Sequence, residues 1–367
     1  MEAFCAYGET ILDAARNSGV YIASDCSGSG TCGKCRVRVL EGKTSPLTGP
    51  ESKLLSGEEK EGGYRLACKA KVLGDITVSA GRSYAVYGGQ AEKKPFQQAA
   101  VKVNPAVRSR KLKVSGPGLG RIAVDGLDTL LAGAMGQPGL MVNEFAKDQL
   151  WSDIQVDKRS FSALVWSDKE IIGVTDGEKG RLLGAALDIG TTTIALYLCD
   201  LGNGEILATG AVTNPQIAFG ADIVSRIAYA LRNPHGASKM RLEVIKAVNL
   251  LIKDLVRDIG CRPEEVVDMT VVGNTVMHHI FLGLSLDGLA RAPFTPAMRH
   301  SADVAAKSVG LDIFPGAYIH ALPVHAGFVG ADSVAAIISE EPYLSDDHVL
   351  IMDLGTNGEL VAGNRHG

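Results

Sequence analysis
Apolar positions recur along this chain at two spacings, and the switch between them marks out the elements. TILDAARNSG at 10–19 puts Leu12 and Ala15 on one face, which predicts a short helix capped by Thr10 and ended by Gly19. CRVRVLEG and DITVS alternate apolar and polar residues and predict strands. Periodicity fades from Gly81. Gly88-Gly89, the charged run Glu92 to Lys94, and Pro95 predict a linker over 84–99. Between 100 and 181, strand signals (RKLKVSG, SALVWSDKEIIGV) surround one predicted helix, DGLDTLLAGAMG. GPGLG at 116–120 reads as a plain turn, because Pro117 and the lack of a preceding strand–helix–strand unit argue against a nucleotide loop. From 182 the signals strengthen. AALDIG predicts a buried strand, and MRLEVIKAVNLLIKDLVRDIG an amphipathic helix ended by Gly260. DMTVVGNTVMHHIFLG reads as a strand entering a helix, and HVLIMDLGTNGELVAG as two strands about an Asn-Gly turn.

The mixture predicts an α/β multidomain protein, with units at 1–83, 100–181 and 182–367 joined by the 84–99 linker. A length of 367 residues exceeds one ordinary core. The net charge of −4 gives no sign of a nucleic-acid partner, and no apolar run approaches the roughly 18 residues of a membrane span. The N-terminus lacks a basic region followed by an apolar core, so the cytoplasm is expected. Structural disulfides are rare there, and the seven cysteines need another explanation.

Four of them supply it. Cys26, Cys32, Cys35 and Cys68 read C-x5-C-x2-C-x32-C, three thiolates from one loop and a fourth from a distant strand, which is how [2Fe–2S] ferredoxins hold their cluster. A loop wrapped around iron needs positive φ and close backbone approach, which Gly28, Gly30 and Gly33 permit. A zinc site would show two close ligand pairs, and only Cys32 and Cys35 form one. Cys5, Cys199 and Cys261 are expected to be buried or incidental. The order of elements resembles the β-grasp ferredoxin-like domain. Only seven residues precede Gly8, so the first strand of that domain is expected to be missing, its sheet split and the true N-terminus upstream.

A second kind of chemistry appears twice. Asp188 ends an apolar strand and is followed by Gly190, Thr191, Thr192 and Thr193; Asp353 ends another and is followed by Gly355, Thr356, Asn357 and Gly358. Backbone N–H groups and hydroxyls in such turns can grip phosphate oxygens, and two carboxylates suit octahedral Mg²⁺. The paired turns resemble the phosphate-1 and phosphate-2 hairpins of the actin, sugar kinase and Hsp70 superfamily. That likeness implies an actin-like (ribonuclease H-like) ATPase domain binding ATP and Mg²⁺. It also makes Asn274 and Thr275 candidates at the γ-phosphate, although Asn274 reads equally as a helix cap. Asp332 could approach the phosphates, but favouring a helix dipole is the preferred reading. The adjacent His278 and His279 read as structural or surface residues.

Together the four cysteines, ALDIGTTTIA, TNPQIAFGADIVSRI, VVGNTVMHHIFLGL, RAPFTPA, HAGFVGADS and MDLGTNGEL closely resemble the reductive activators of corrinoid-dependent methyltransferases, from Gly8 to the last residue. The resemblance implies one-electron transfer from a [2Fe–2S] cluster to Co(II), giving Co(I), driven by ATP hydrolysis. It implies a corrinoid protein as partner and an upstream electron donor, and leaves a homodimer open. The chain stops fourteen residues past Asp353, before the adenosine-binding loop of the superfamily, so a fragment lacking both ends and inactive alone is expected. Three rival readings remain at this stage. One is a ferredoxin-type docking module on a non-hydrolysing scaffold, another a sugar or acetate kinase with a redox sensor, and the third an activator of a 2-hydroxyacyl-CoA dehydratase.

Overall fold
The computed structural model describes residues 4–18, 20–24, 26, 28–80, 83–85, 102–113, 129, 131, 133, 135–137, 139–155, 160–175, 181–355 and 358–367. The 116–120 turn, Gly19, Thr356, Asn357, most of the expected linker and much of the helix expected after 125 lie outside them.

Helix α1 (Ile11–Asn17) starts where expected, its Asp13 N–H donating to the Thr10 hydroxyl at 3.1 Å. It covers a small core of Ile11, Leu12, Ile22, Val37, Leu55 and Leu66. Two ladders flank it. Strand β1 (Val20–Ile22) pairs with a later strand, β5 (Ser83–Ala85), while β2 (Arg36–Thr44) lies between β3 (Tyr64–Leu66) and β4 (Val72–Ser79). The sheet is thus in two pieces. β5 is unanticipated: the last strand signal of this region is DITVS, and Ser83–Ala85 becomes a strand only through long-range pairing with β1. Short helices α2 (Gly49–Leu54) and α3 (Gly57–Glu61) complete this part. Glu51 on α2 is fully buried and accepts from Arg65 Nε at 2.8 Å, Arg65 Nη2 at 3.1 Å and Leu66 N–H at 3.1 Å, tying the strand before Cys68 to the helix.

A four-stranded sheet follows, ordered β6 (Val107–Lys113), β8 (Ser160–Trp166), β9 (Glu170–Thr175), β7 (Met141–Val142). It carries an unanticipated helix, α4 (Glu144–Gln155), with Ala146, Leu150 and Ile154 at four-residue spacing. One face has its own core around Leu131, Leu150 and Ile171. The other sends Val107, Leu164 and Ile172 into the main core of the chain, and Trp166 packs its ring 4.6 Å from that of Tyr318.

The main sheet runs β12 (Ile206–Thr213), β11 (Thr193–Asp200), β10 (Leu183–Ile189), β13 (Val266–Gly273), β15 (Tyr318–Ala321), β14 (Ala302–Ala305). The first three strands form an antiparallel meander; β13 and β15 run parallel to β10. This is the ribonuclease H-like order, with β14 added at the edge. Helices α5 (Ile223–Arg232), α6 (Gly236–Asp258), α7 (Thr275–Leu282), α8 (Ala306–Val309) and α9 (Ala331–Glu340) accompany it. α6 lays Met240, Val244, Val248, Leu251 and Ile252 on the sheet in the 3.6-residue rhythm that its sequence shows. The hairpin β16 (Val349–Leu354) with β17 (Gly358–Gly363) closes the chain. Among the described residues no helix is long and apolar enough to cross a membrane. The fold is therefore mixed α/β and multidomain.

Candidate functional site
The cysteine loop is built as its glycines require. Gly28, Gly30 and Gly33 have φ of +92°, +83° and +67°, and a Cβ at Gly30 would meet Lys69 Cε at 2.2 Å. The four thiols stand two and two. Cys26 and Cys32 hydrogen-bond to each other, and the Sγ atoms of Cys35 and Cys68 lie 3.3 Å apart. Two thiolates on one tetrahedral iron are about 3.8 Å apart for metal–sulfur bonds of about 2.3 Å. A pairwise set therefore fits a two-iron cluster. Among the described residues no three His, Cys, Asp or Glu side chains converge as a single-ion site would require. Burial pushes the Cys26 thiol up, yet hydrogen bonds from Ser29, Cys32 and Thr31 outweigh it and bring it down to about 5. Sharing a hydrogen bond, Cys35 falls to about 7 while Cys68 rises. Cys68 itself sits in the turn just past β3 rather than on a strand, because its side chain must face back toward Cys35. Cys5 is exposed and not buried; Cys199 and Cys261 are half-buried.

The second site lies where β10 and β13 end side by side, Ile189 opposite Gly273. Ligands of open α/β sheets gather at such strand ends. The backbones there approach closely: a Cβ at Gly190 would meet Thr193 O at 2.7 Å, and one at Gly330 would meet Asn274 Cα at 2.4 Å. Thr191 is buried, and its hydroxyl accepts from Asn274 Nδ2 at 3.0 Å. The other end of Asn274 caps α7, its Oδ1 accepting from Val276 and Met277 N–H at 3.1 Å each. Thus Asn274 is both a cap and a tie to the Gly190 loop. Thr275 donates its hydroxyl to Ala326 O at 2.6 Å and so fixes the loop before α9. His279 accepts from Ala297 N–H at 2.9 Å, and its Nδ1 faces Thr275 O at 2.8 Å. Burial lowers it, and lowers His278 to about 4; both are buried structural residues, and the surface alternative is wrong.

Carboxylates influence one another near the same strand ends. Asp332, in the first turn of α9, has its proton affinity raised by burial and then by Asp188 and Asp353. Glu359 is raised by burial, Asp332 and Asp353. Sequence reasoning missed Glu359: a two-residue Asn-Gly turn would set Asp353 opposite Ala362, whereas the hairpin pairs Asp353 with Glu359. It also missed Arg226. This fully buried guanidinium donates to Thr191 O at 2.6 Å, Gln216 Oε1 at 3.2 Å and Gly220 O at 3.0 Å. Burial brings it down to about 9. Asn214 holds the loop from the same side, donating to Gly190 O through Nδ2 and to Thr192 O through its N–H, both at 2.8 Å.

The family model of the 2Fe-2S iron-sulfur cluster binding domain matches residues 2–73, and that of the RACo middle region matches residues 183–343. The corrinoid activation enzyme RamQ of Eubacterium limosum is 26% identical over 359 residues, 96% of this chain and 56% of that protein. A solved structure, the reductive activator for corrinoid,iron-sulfur protein, superposes with a TM-score of 0.65 at 28% identity, covering 99% of this chain and 60% of the other. The N-terminal part is also 40% identical over 74 residues to the reductase component of an aromatic O-demethylase from an Amycolatopsis species, 20% of this chain and 22% of that protein. The chain spans little more than half the length of the whole-chain relatives it matches. With a match to the 2Fe-2S domain and one to the RACo middle region in one polypeptide, and a likeness running along nearly all of it, this chain is similar to the reductive activators of corrinoid proteins.

Proposed function
We propose that this protein carries out ATP-dependent reductive activation of a corrinoid protein, passing one electron from a [2Fe–2S] cluster to Co(II) to give Co(I). One observation carries the reading. A loop of four thiols and the Gly190 loop at the ends of β10 and β13 share one chain, and 99% of this chain superposes on 60% of a reductive activator.

In this reading residues 1–83 are the electron carrier, 100–181 a small middle domain, and 182–367 the clamp lobe, with 84–99 the linker. Cys26, Cys32, Cys35 and Cys68 hold the cluster, which when bound supplies one electron near about −400 mV. The Co(II)/Co(I) couple of the substrate lies lower, and each 100 mV uphill costs about 2.3 kcal/mol for one electron. ATP is the source of that free energy. Gly190 and Thr191 to Thr193 grip its phosphates from one side; Gly355 and Gly358, with Thr356 and Asn357, do so from the other. Asp188 and Asp353 orient Mg²⁺ or its waters, and Asp332 stands within electrostatic reach of both. Asn274 fixes the Thr191 hydroxyl, and Thr275 fixes the loop that presents Asp332. A corrinoid protein is the partner, and an upstream donor reloads the cluster.

The test is ATP hydrolysis by the protein with and without a Co(II) corrinoid protein. Hydrolysis that depends on Mg²⁺ and on Asp188, and rises with the corrinoid protein, supports the reading. Absence of hydrolysis in both conditions refutes it in favour of a docking scaffold.

A further inference from the structure
Arg16 belongs to helix α1 of the cluster domain, yet its guanidinium is seated on the clamp lobe. Its side chain is only 4% exposed. Nε donates to the carbonyl of Ala218, 202 positions along the chain. Its Cζ lies 5.2 Å from the ring centre of Tyr229 and 5.8 Å from that of Phe219, two rings that pack 5.0 Å apart. A desolvated guanidinium over two aromatic faces is a strong anchor. The same group also borders the cluster loop. Nη1 is 3.3 Å from Asp13 Oδ1, and a Cβ at Gly28 would stand 4.0 Å from Arg16 Nη1 and 3.8 Å from Cys68 Cβ.

The seat is not an isolated piece of lobe surface. Ala218 ends the 3₁₀ turn Pro215–Ala218, and Phe219 follows it. That turn is bonded directly to the first phosphate loop. Asn214, which caps it, donates to Gly190 O and Thr192 O, each at 2.8 Å. Gln216 within it holds Arg226, which donates to Thr191 O at 2.6 Å. Three consecutive loop carbonyls, those of Gly190, Thr191 and Thr192, are therefore acceptors of groups on or against this turn. The loop cannot reorient its peptides without moving the turn, and the turn is where the cluster domain is anchored.

We propose that Arg16 and the turn Pro215–Ala218 form an interdomain latch through which nucleotide at the Gly190–Thr193 loop controls whether the cluster domain is docked on the lobe. Arg16 is a positioning residue in this scheme: it touches neither phosphate nor cobalt. The coupling is reciprocal, so docking also changes the affinity of the loop for nucleotide. The proposal rests on the nucleotide reading of the loop given above.

Amide hydrogen exchange of the full-length protein, with and without Mg²⁺ and a non-hydrolysable ATP analogue, tests it. The wild-type protein is expected to slow exchange at 190–193 and to change exchange across α1, remote in sequence but joined to the turn through Arg16, by about threefold or more. In Arg16→Ala the slowing at 190–193 remains and the response of α1 is lost. Arg16→Lys keeps the charge and one donor and recovers part of it. The EPR signal of the reduced cluster checks that each variant is folded. If Arg16→Ala loses the cluster, Phe219→Leu removes an aromatic face from the lobe side and is expected to abolish the α1 response equally. An α1 response of wild-type size in Phe219→Leu and Arg16→Ala, or none in the wild type while 190–193 slows, overturns the latch. No slowing at 190–193 in the wild type overturns the nucleotide reading first, and the latch with it.

Discussion

Glu51 offers the sharpest test of how the cluster domain is held. Its carboxylate is fully buried and accepts from Arg65 through Nε and Nη2, from Leu66 N–H, and from the Thr48 N–H at 2.8 Å and hydroxyl at 2.9 Å. Glu51→Ala leaves the Arg65 guanidinium buried without its carboxylate, which typically costs about 3–5 kcal/mol. It also orphans Leu66 N–H, at about 1–3 kcal/mol, and breaks the capping box of α2, at about 1 kcal/mol. These losses share one site and do not add fully, so about 4 kcal/mol is expected. For a domain of this size each kcal/mol moves the midpoint by about 4–8 °C, which gives a fall of roughly 15–30 °C. Arg65 stands three residues before Cys68, so loss of visible cluster absorbance on heating is the assay. Replacing both partners, Glu51→Leu with Arg65→Met, is expected to recover most of the loss, since it buries no lone charge. A midpoint within about 2 °C of wild type for Glu51→Ala would refute the reasoning. Acid provides a second reading of the same pair. Burial opposes ionisation of Glu51, but Arg65, Thr48 and Leu66 together hold its carboxyl below the ordinary value. Its contribution is therefore fully present above the unfolded value of about 4.3 and is lost as pH falls through the lower native one.

Three further outcomes are expected. Cys32→Ala and Cys68→Ala each abolish the rhombic EPR signal of the reduced protein and its content of about two irons; iron unchanged in Cys32→Ala would remove the ligand assignment. Asp188→Ala and Asp353→Ala lose Mg²⁺-dependent ATP hydrolysis by about 100-fold or more while the cluster signal stays, as expected for carboxylates that orient the metal. Gly330→Ala drives a methyl group into the backbone of Asn274, 2.4 Å from its Cα, and is expected to lower stability by about 1–3 kcal/mol and hydrolysis with it; a variant as stable and active as wild type would show that this approach of α9 to β13 is not needed.

Local rules made much of this molecule legible. The Thr10 cap, the alternation in β2 and β4, the long apolar stripe of α6 and the strand before Asp188 all depend on neighbours in sequence, and each stands where the pattern puts it. The positive φ of the loop glycines followed from the same logic. What escaped depends on distant partners. Ser83–Ala85 is a strand only because β1 lies beside it. α4 buries Ala146 and Leu150 fully against the sheet and packs Phe145 against Phe314, but Lys147, Asp148, Gln149, Ser152 and Asp153 interrupt its short apolar stripe. Arg16, Glu51, Arg65 and Arg226 are charged residues that fold inward, against the pattern by which charge marks the surface. Only the Thr48-x-x-Glu51 capping spacing hinted at one of them. Asp332 read as a helix-dipole residue because sequence spacing does not reveal that α9 starts within electrostatic reach of Asp188 and Asp353.

The central claim, that the cluster supplies the electron and the clamp supplies the driving force, is tested most directly by the absorption spectrum of a Co(II) corrinoid protein mixed with the full-length protein and a reductant. The account predicts conversion to Co(I) only when ATP and Mg²⁺ are present. Without nucleotide the cluster is reduced and the cobalt stays as Co(II); with Cys68→Ala the cobalt stays as Co(II) even when ATP is hydrolysed. Conversion to Co(I) at the full rate without ATP would contradict the account and leave a ferredoxin joined to an idle scaffold.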